Sequence, residues 1–215
     1  MDYKNKYLKC KKKYLQIKTK LFVNELKKLY PSCKHDLHLL NNYTNYKITY
    51  GEMDYDGFDS IINFPDLSNY SFKSFIDIGS GRGKLCLYAS SITSIKKSIG
   101  IELVKERHDD ALNLKSQLSM YPEILKVNFI NGDFFDYNFS NFDLTNVLVW
   151  ISNLCFEQET TNKLFIKLLD ELPSKTIIAC SKQHMINNLK IKKIGEISIK
   201  MSWSNNSMIY LYQIN

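Results

Sequence analysis

The chain has no run of 18 or more apolar residues, so no segment reads as a membrane-spanning helix. Its lysine-rich start lacks the apolar stretch of a secretory signal. Its five cysteines, Cys10, Cys33, Cys86, Cys155 and Cys180, are scattered, odd in number and never spaced Cys-x-x-Cys. That argues against a disulfide framework and a zinc site, and for a reducing, intracellular compartment. Cys86, Cys155 and Cys180 lie in apolar contexts and read as small core residues. No repeat recurs at solenoid spacing. Acidic residues are scarce at the start: residues 1–30 hold ten lysines against Asp2 and Glu25, a net of +8. The whole chain carries +7, so the remainder is close to neutral. The basic character therefore belongs to one segment. Its lysines, within residues 4–28, can attract a polyanion such as DNA or RNA by counterion release, or can form a solvated helix face.

What is present suits one α/β domain with an appendage. Residues 1–48 read as a basic helical segment with a connector, and 49–215 as the main domain. In the first segment Tyr7, Cys10, Tyr14, Ile17 and Leu21 recur at spacings of three and four. Leu15, Phe22, Leu26 and Leu29 widen the stripe, and Pro31 ends it. A helical stretch near Phe58–Ile62 precedes alternating strands and helices. The strands are expected at 75–78, 98–101, 127–130, 144–149 and 176–180, with helices at 84–91, 104–119 and 157–172. Two β-like runs, 194–203 and 208–214, are separated by the turn-forming Ser204-Asn205-Asn206-Ser207. The pattern predicts a Rossmann-like α/β fold: a seven-stranded, mostly parallel sheet closed by a C-terminal antiparallel hairpin.

The most informative run is Phe75-Ile76-Asp77-Ile78-Gly79-Ser80-Gly81-Arg82-Gly83-Lys84. A strand ends in an acid, and a glycine turn opens a helix, as in sheets that hold nucleotide-like cofactors. A phosphate loop would end Gly-Lys-Ser/Thr, but Leu85 follows Lys84. Asp77 favours S-adenosyl-L-methionine, whose ammonium such an acid can hold. At the next strand ends, Glu102 can accept both ribose hydroxyls, and Asp133 can accept from the adenine amine with Phe134 against the ring. Each also has a plainer reading: a ligand-free turn, a surface glutamate, a β-turn followed by a core Phe. Their order along four strand ends is what carries the assignment. The fourth end, Trp150 to Phe156, lacks the Asp/Asn-Pro-Pro-aromatic motif of DNA amino methyltransferases, and Cys155 lacks the preceding proline of cytosine C5 enzymes.

Upstream stands Tyr50-Gly51-Glu52. With it, the chain resembles the Dot (disruptor of telomeric silencing) family of non-SET histone-lysine methyltransferases, from about Tyr50 to the C-terminus. The resemblance implies an entry loop at Tyr50-Gly51-Glu52 that folds over S-adenosyl-L-methionine. It makes Asp77, Gly79, Ser80, Gly81, Gly83, Lys84, Glu102, Asp133, Phe134 and Ser152 cofactor residues, although the family often has Gln at the place of Lys84. Ser152-Asn153-Leu154-Cys155-Phe156 resembles the Asn-Asn-Phe-Ala-Phe stretch, with Ser152 in place of the first Asn. Ser152 or Asn153 would then serve near the reacting groups. Phe156, Trp203 and Tyr210 would wall a lysine channel, and no metal is implied. The implied acceptor is histone H3 in nucleosomes, at core lysine seventy-nine. Another protein, an RNA, or a binding-only role remain alternatives. The lysine leader is similar to those of large DNA viruses, which makes the expected site of action the nucleus or a viral factory.

Overall fold

The structure, a computed structural model, describes residues 3–30, 49–92 and 94–215. The expected connector at 32–48, Pro31 and Cys33 lie outside the described residues. Five α-helices are described: α1 (Tyr3–Leu29), α2 (Tyr55–Ile62), α3 (Lys84–Ser90), α4 (Lys105–Gln117) and α5 (Gln158–Glu171). The strands are β1 (Ser74–Ile78), β2 (Lys97–Glu102), β3 (Val127–Asn131), β4 (Val147–Ile151), β5 (Ile177–Cys180), β6 (Ile191–Met201) and β7 (Ser204–Ile214). They form one sheet in the order β3-β2-β1-β4-β5-β7-β6. β1 to β5 pair in parallel, while β7 runs antiparallel to both β5 and β6.

This topology follows from the pattern of apolar residues. β1 and β4 are buried along their whole lengths, as central parallel strands covered on both faces must be. Alternate residues feed opposite layers. Phe75 joins the layer of α2, α3 and the end of α1, whereas Ile76 and Ile78 join Phe165 and Leu168 of α5 on the other face. The chain moves outward from β1 to β3, then restarts at β4 on the other side of β1. The crevice at this reversal, beyond Ile78 and Ile151, is where open α/β sheets bind ligands.

Several expectations change. The fourth strand starts at Val147 rather than Leu144, and the hairpin turns at Ser202-Trp203, so Ser204 to Ser207 belong to β7. Two register shifts in β6 against β7 displace the turn from its most turn-like sequence. Cys155 is exposed, unlike buried Cys86 and Cys180, because it follows the strand end rather than lying within a strand. The stripe on α1 is buried only at its C-terminal end: Phe22, Leu26 and Tyr30 enter the core, with Phe22 edge-on to Tyr121, while Tyr7, Tyr14, Ile17 and Leu21 are exposed. The end of α1 is thus part of the domain core. Leu26→Ala is expected to lower unfolding stability by about 2–5 kcal/mol, and Leu21→Ala by much less, as read by denaturant titration of the full chain.

Candidate active site

The glycine turn lies at the carboxyl end of β1, with Gly79, Gly81 and Gly83 at positive φ. Gly81 has φ +54°, and a Cβ there would lie 2.4 Å from Cε2 of Tyr50. The entry loop therefore lies directly on the turn, and glycine is needed for both the conformation and the contact. Glu102 braces the same turn: its carboxylate accepts from the Gly81 amide at 2.7 Å and from the Val104 amide at 2.8 Å. The Tyr50 ring is flanked by two guanidiniums, with Arg107 Cζ 4.6 Å and Arg82 Cζ 5.5 Å from its centroid.

The loop is tied down on its other side by residues far away in sequence. The Glu52 amide donates to Ser202 Oγ at 2.9 Å, and the Ser202 amide donates to the Glu52 carbonyl at 2.7 Å. Met53 bridges to Met201 in antiparallel fashion. A Cβ on Gly51 would lie 2.2 Å from Cε3 and Cζ3 of Trp203, so this ring packs directly against loop backbone. The buried Glu52 carboxylate accepts from the Tyr30 and Tyr50 hydroxyls and from Lys84 Nζ at 3.4 Å. Burial, then the nearby carboxylate, holds the Tyr50 hydroxyl well above its ordinary pKa, so it stays protonated and donates.

Beneath the loop is a cavity of about 500 Å³. Glu102, Asp133, Phe134, Phe156 and Arg107 line it, and the rings of Phe134 and Phe156 stack 5.9 Å apart at 19°. A smaller cavity of about 30 Å³ adjoins it, lined by Asp77, Ser80, Lys84, Glu52 and Trp150. Tyr50, Gly51, Gly79 and Ser152 border both and form the neck between them.

These features fit S-adenosyl-L-methionine. The larger space is wide enough for a nucleoside and offers an aromatic pair with an acid at either side. The smaller carries a carboxylate suited to an ammonium. A Cβ on Gly79 would meet nothing within 4 Å, and the buried Ser80 hydroxyl has no hydrogen-bond partner among the described residues, so polar capacity is left for a ligand. Burial, with Glu102 and then Glu52 nearby, pushes the Asp77 carboxyl up to about 8, against a weak thiol contact from Cys86. Among the described residues no cluster of three or more His, Cys, Asp or Glu side chains could hold a metal ion.

Sequence reasoning grouped several residues that the structure separates. Asn153 is fully buried: its amide nitrogen donates to the Lys182 carbonyl at 2.9 Å, and its oxygen accepts from the Lys182 amide at 2.9 Å and from Ser181 Oγ at 3.3 Å. It clamps the ends of β4 and β5 together and has no free group for an acceptor, which leaves Ser152 as the open polar position. Trp203 is at the hairpin turn on the entry loop, but Tyr210 lies within β7, with Lys193 Nζ 5.0 Å from its ring, and lines neither cavity. Phe156 joins Phe134 in the larger cavity. Tyr30 and Arg107 were missed. Arg107 sits in the first turn of the helix after β2, the position from which a side chain reaches back over the strand end, and that placement was the available signal.

The sheet, the glycine turn at its switch point and the two-part cavity define a class I S-adenosyl-L-methionine-dependent methyltransferase domain. An RNA methyltransferase from Salinibacter ruber, solved with S-adenosyl-L-homocysteine, superposes with TM-score 0.54 at 16% identity, covering 75% of this chain and 92% of that one. Sp1610 of Streptococcus pneumoniae, assigned as a tRNA (m1A22) methyltransferase, gives 0.52 at 12% identity, covering 76% and 71%. At such identities the likeness is one of fold. The family model "Histone methylation protein DOT1" matches residues 30–210, and the chain belongs to that family. "Histone-lysine N-methyltransferase, H3 lysine-79 specific" of Caenorhabditis elegans is 28% identical over 149 residues. The match covers 66% of this chain and only 16% of that relative's length.

Two measurements test the cofactor assignment. Gly81→Arg is expected to abolish binding of S-adenosyl-L-homocysteine in calorimetry while the far-UV spectrum stays unchanged; retained binding refutes the assignment. For Asp77, the folded carboxyl titrates near 8 and the unfolded one near 4. Between these values the folded, ligand-free protein binds the extra proton, so its stability falls as pH rises across that window. Asp77→Asn should therefore raise the melting temperature of the ligand-free protein at pH 8.5, with a gain that shrinks toward pH 4. It should also weaken cofactor binding at least tenfold and remove the proton release that wild-type binding is expected to show at pH 7 in buffers of differing ionisation enthalpy.

Proposed function

We propose that this chain is a protein-lysine N-methyltransferase whose acceptor is histone H3 in nucleosomes, at the lysine named for the Caenorhabditis elegans relative, and that it acts in the nucleus. The observation that carries this reading is the entry loop. Tyr50-Gly51-Glu52 lies over the glycine turn of a chain that the DOT1 family model matches from residue 30 to residue 210.

S-adenosyl-L-methionine supplies an electrophilic methyl group on a charged sulfur. The chain's own residues hold, orient and dehydrate. Asp77, ionised on pairing, holds the ammonium, Glu102 faces the ribose, and Asp133 with Phe134 and Phe156 takes the adenine. Tyr50 closes the turn from above. A protonated lysine has no lone pair with which to attack, so the acceptor must lose its proton and its water before transfer. The neck formed by Tyr50, Gly51 and Ser152, with Trp203 behind Gly51, is the narrow, partly aromatic surface on which this can occur. Alignment and exclusion of water supply most of the rate, without an obligatory side-chain base.

Labelled S-adenosyl-L-methionine offered in parallel with nucleosomes, free histones and RNA tests the reading. Label is expected on nucleosomal H3, and Trp203→Ala should cut the rate about tenfold or more with cofactor affinity nearly kept. Label on RNA or another protein would assign a different acceptor, and none anywhere a binding role.

A further inference from the structure

We propose that the outer part of α1 docks into an apolar groove with an acidic rim on a partner protein. Tyr7, Cys10, Tyr14, Ile17 and Leu21 form one seam at alternating three- and four-residue spacing, and all five are exposed. Phe22 and Leu26, which face the domain, lie roughly 100° or more around the helix from Leu21, at 100° per residue. The domain therefore leaves the seam uncovered. Lysines flank it on both sides: Lys6, Lys13 and Lys20 along one edge, Lys11 and Lys18 along the other. No acidic residue occurs between Tyr3 and Asn24.

This charge arrangement selects the occupant. Pairing with a second copy, in either orientation, would set lysine edge against lysine edge, a like-charge arrangement that opposes association. A nucleic acid would use the lysines and leave the apolar seam in water. A lipid surface would take the exposed Leu8 and Leu15 together with the seam, and so would bury Lys11 and Lys18, which run between them. A groove with an apolar floor and acidic rims satisfies both the seam and its two edges. From Tyr7 to Leu21 the seam is about 21 Å long, two heptads. That is short for a free coiled coil, and a preformed groove supplies the missing surface.

The test uses the full chain and calcium-loaded calmodulin, a protein with such a groove. Fluorescence anisotropy at 150 mM salt is expected to give a Kd in the micromolar range or tighter, lost on calcium chelation. Tyr14→Glu with Ile17→Glu, which keeps every lysine, should weaken it at least tenfold while S-adenosyl-L-homocysteine affinity stays unchanged, showing an intact fold. Absence of calmodulin binding overturns the proposal, as does binding indifferent to the double substitution. Tighter binding to a 20-base-pair duplex or to phosphatidylserine vesicles overturns it in favour of those surfaces, and dimerisation through α1 on sedimentation overturns it in favour of a second copy.

Discussion

The carboxylate of Glu52 is the point on which the rest of the site depends. It is buried, and a buried carboxylate is tolerated only when its oxygens are satisfied. Its partners come from three separate places: Tyr30 at the end of α1, Tyr50 in the same loop, and Lys84 at the start of α3. Its own backbone pairs with Ser202 at the hairpin turn. One residue thus gathers the N-terminal helix, the entry loop, the glycine turn and the last hairpin. The roof of the cofactor cavity is assembled from both ends of the chain. This gives a physical reason for the match to the family model to begin at residue 30, ahead of the loop.

Much of the fold was legible because parallel strands buried on both faces leave short, almost wholly apolar runs, and the glycine turn names the first of them. The acids at successive strand ends were legible for the same reason, since topology alone puts them around one crevice. What was not legible depends on contacts between single residues across long separations. Tyr30 reaches Glu52, and Arg107 reaches Tyr50, from helices whose periodicity says which face is apolar but not what the face meets. The family resemblance groups Trp203 and Tyr210 as walls of one channel; the structure has Trp203 at the hairpin turn and Tyr210 paired with Glu196 inside the sheet. For α1 the stripe was visible, but its exposure depends on where the domain ends.

At the end of β4 two neighbouring polar residues take different places. Of the adjacent polar pair Ser152 and Asn153, the second is enclosed by Thr161, Ser181 and Lys182 and holds two strand ends in register. Its role follows from complete burial, which an amide tolerates only with its donors and acceptor engaged. The smaller side chain of Ser152 is what borders both cavities.

The electrostatics of the cavity then separate binding from release. Asp77 is held near 8 by burial and by neighbouring carboxylates, so below that pH the carboxyl is neutral and an unpaired buried charge is avoided. Pairing with an ammonium reverses this, and the pair forms within a low-dielectric pocket. The ammonium is present on the cofactor both before and after transfer, so in the proposed role Asp77 would hold substrate and product alike, a uniform contribution that fixes affinity without favouring turnover. In that role, discharge of the product would depend on the roof rather than on Asp77. The roof is held by Glu52 and its three partners, two of them neutral hydroxyls. A buried cluster of this kind is disrupted by moving any one of its elements, so the end of α1, which carries Tyr30, and the hairpin turn at Ser202 both bear on how firmly the roof is held.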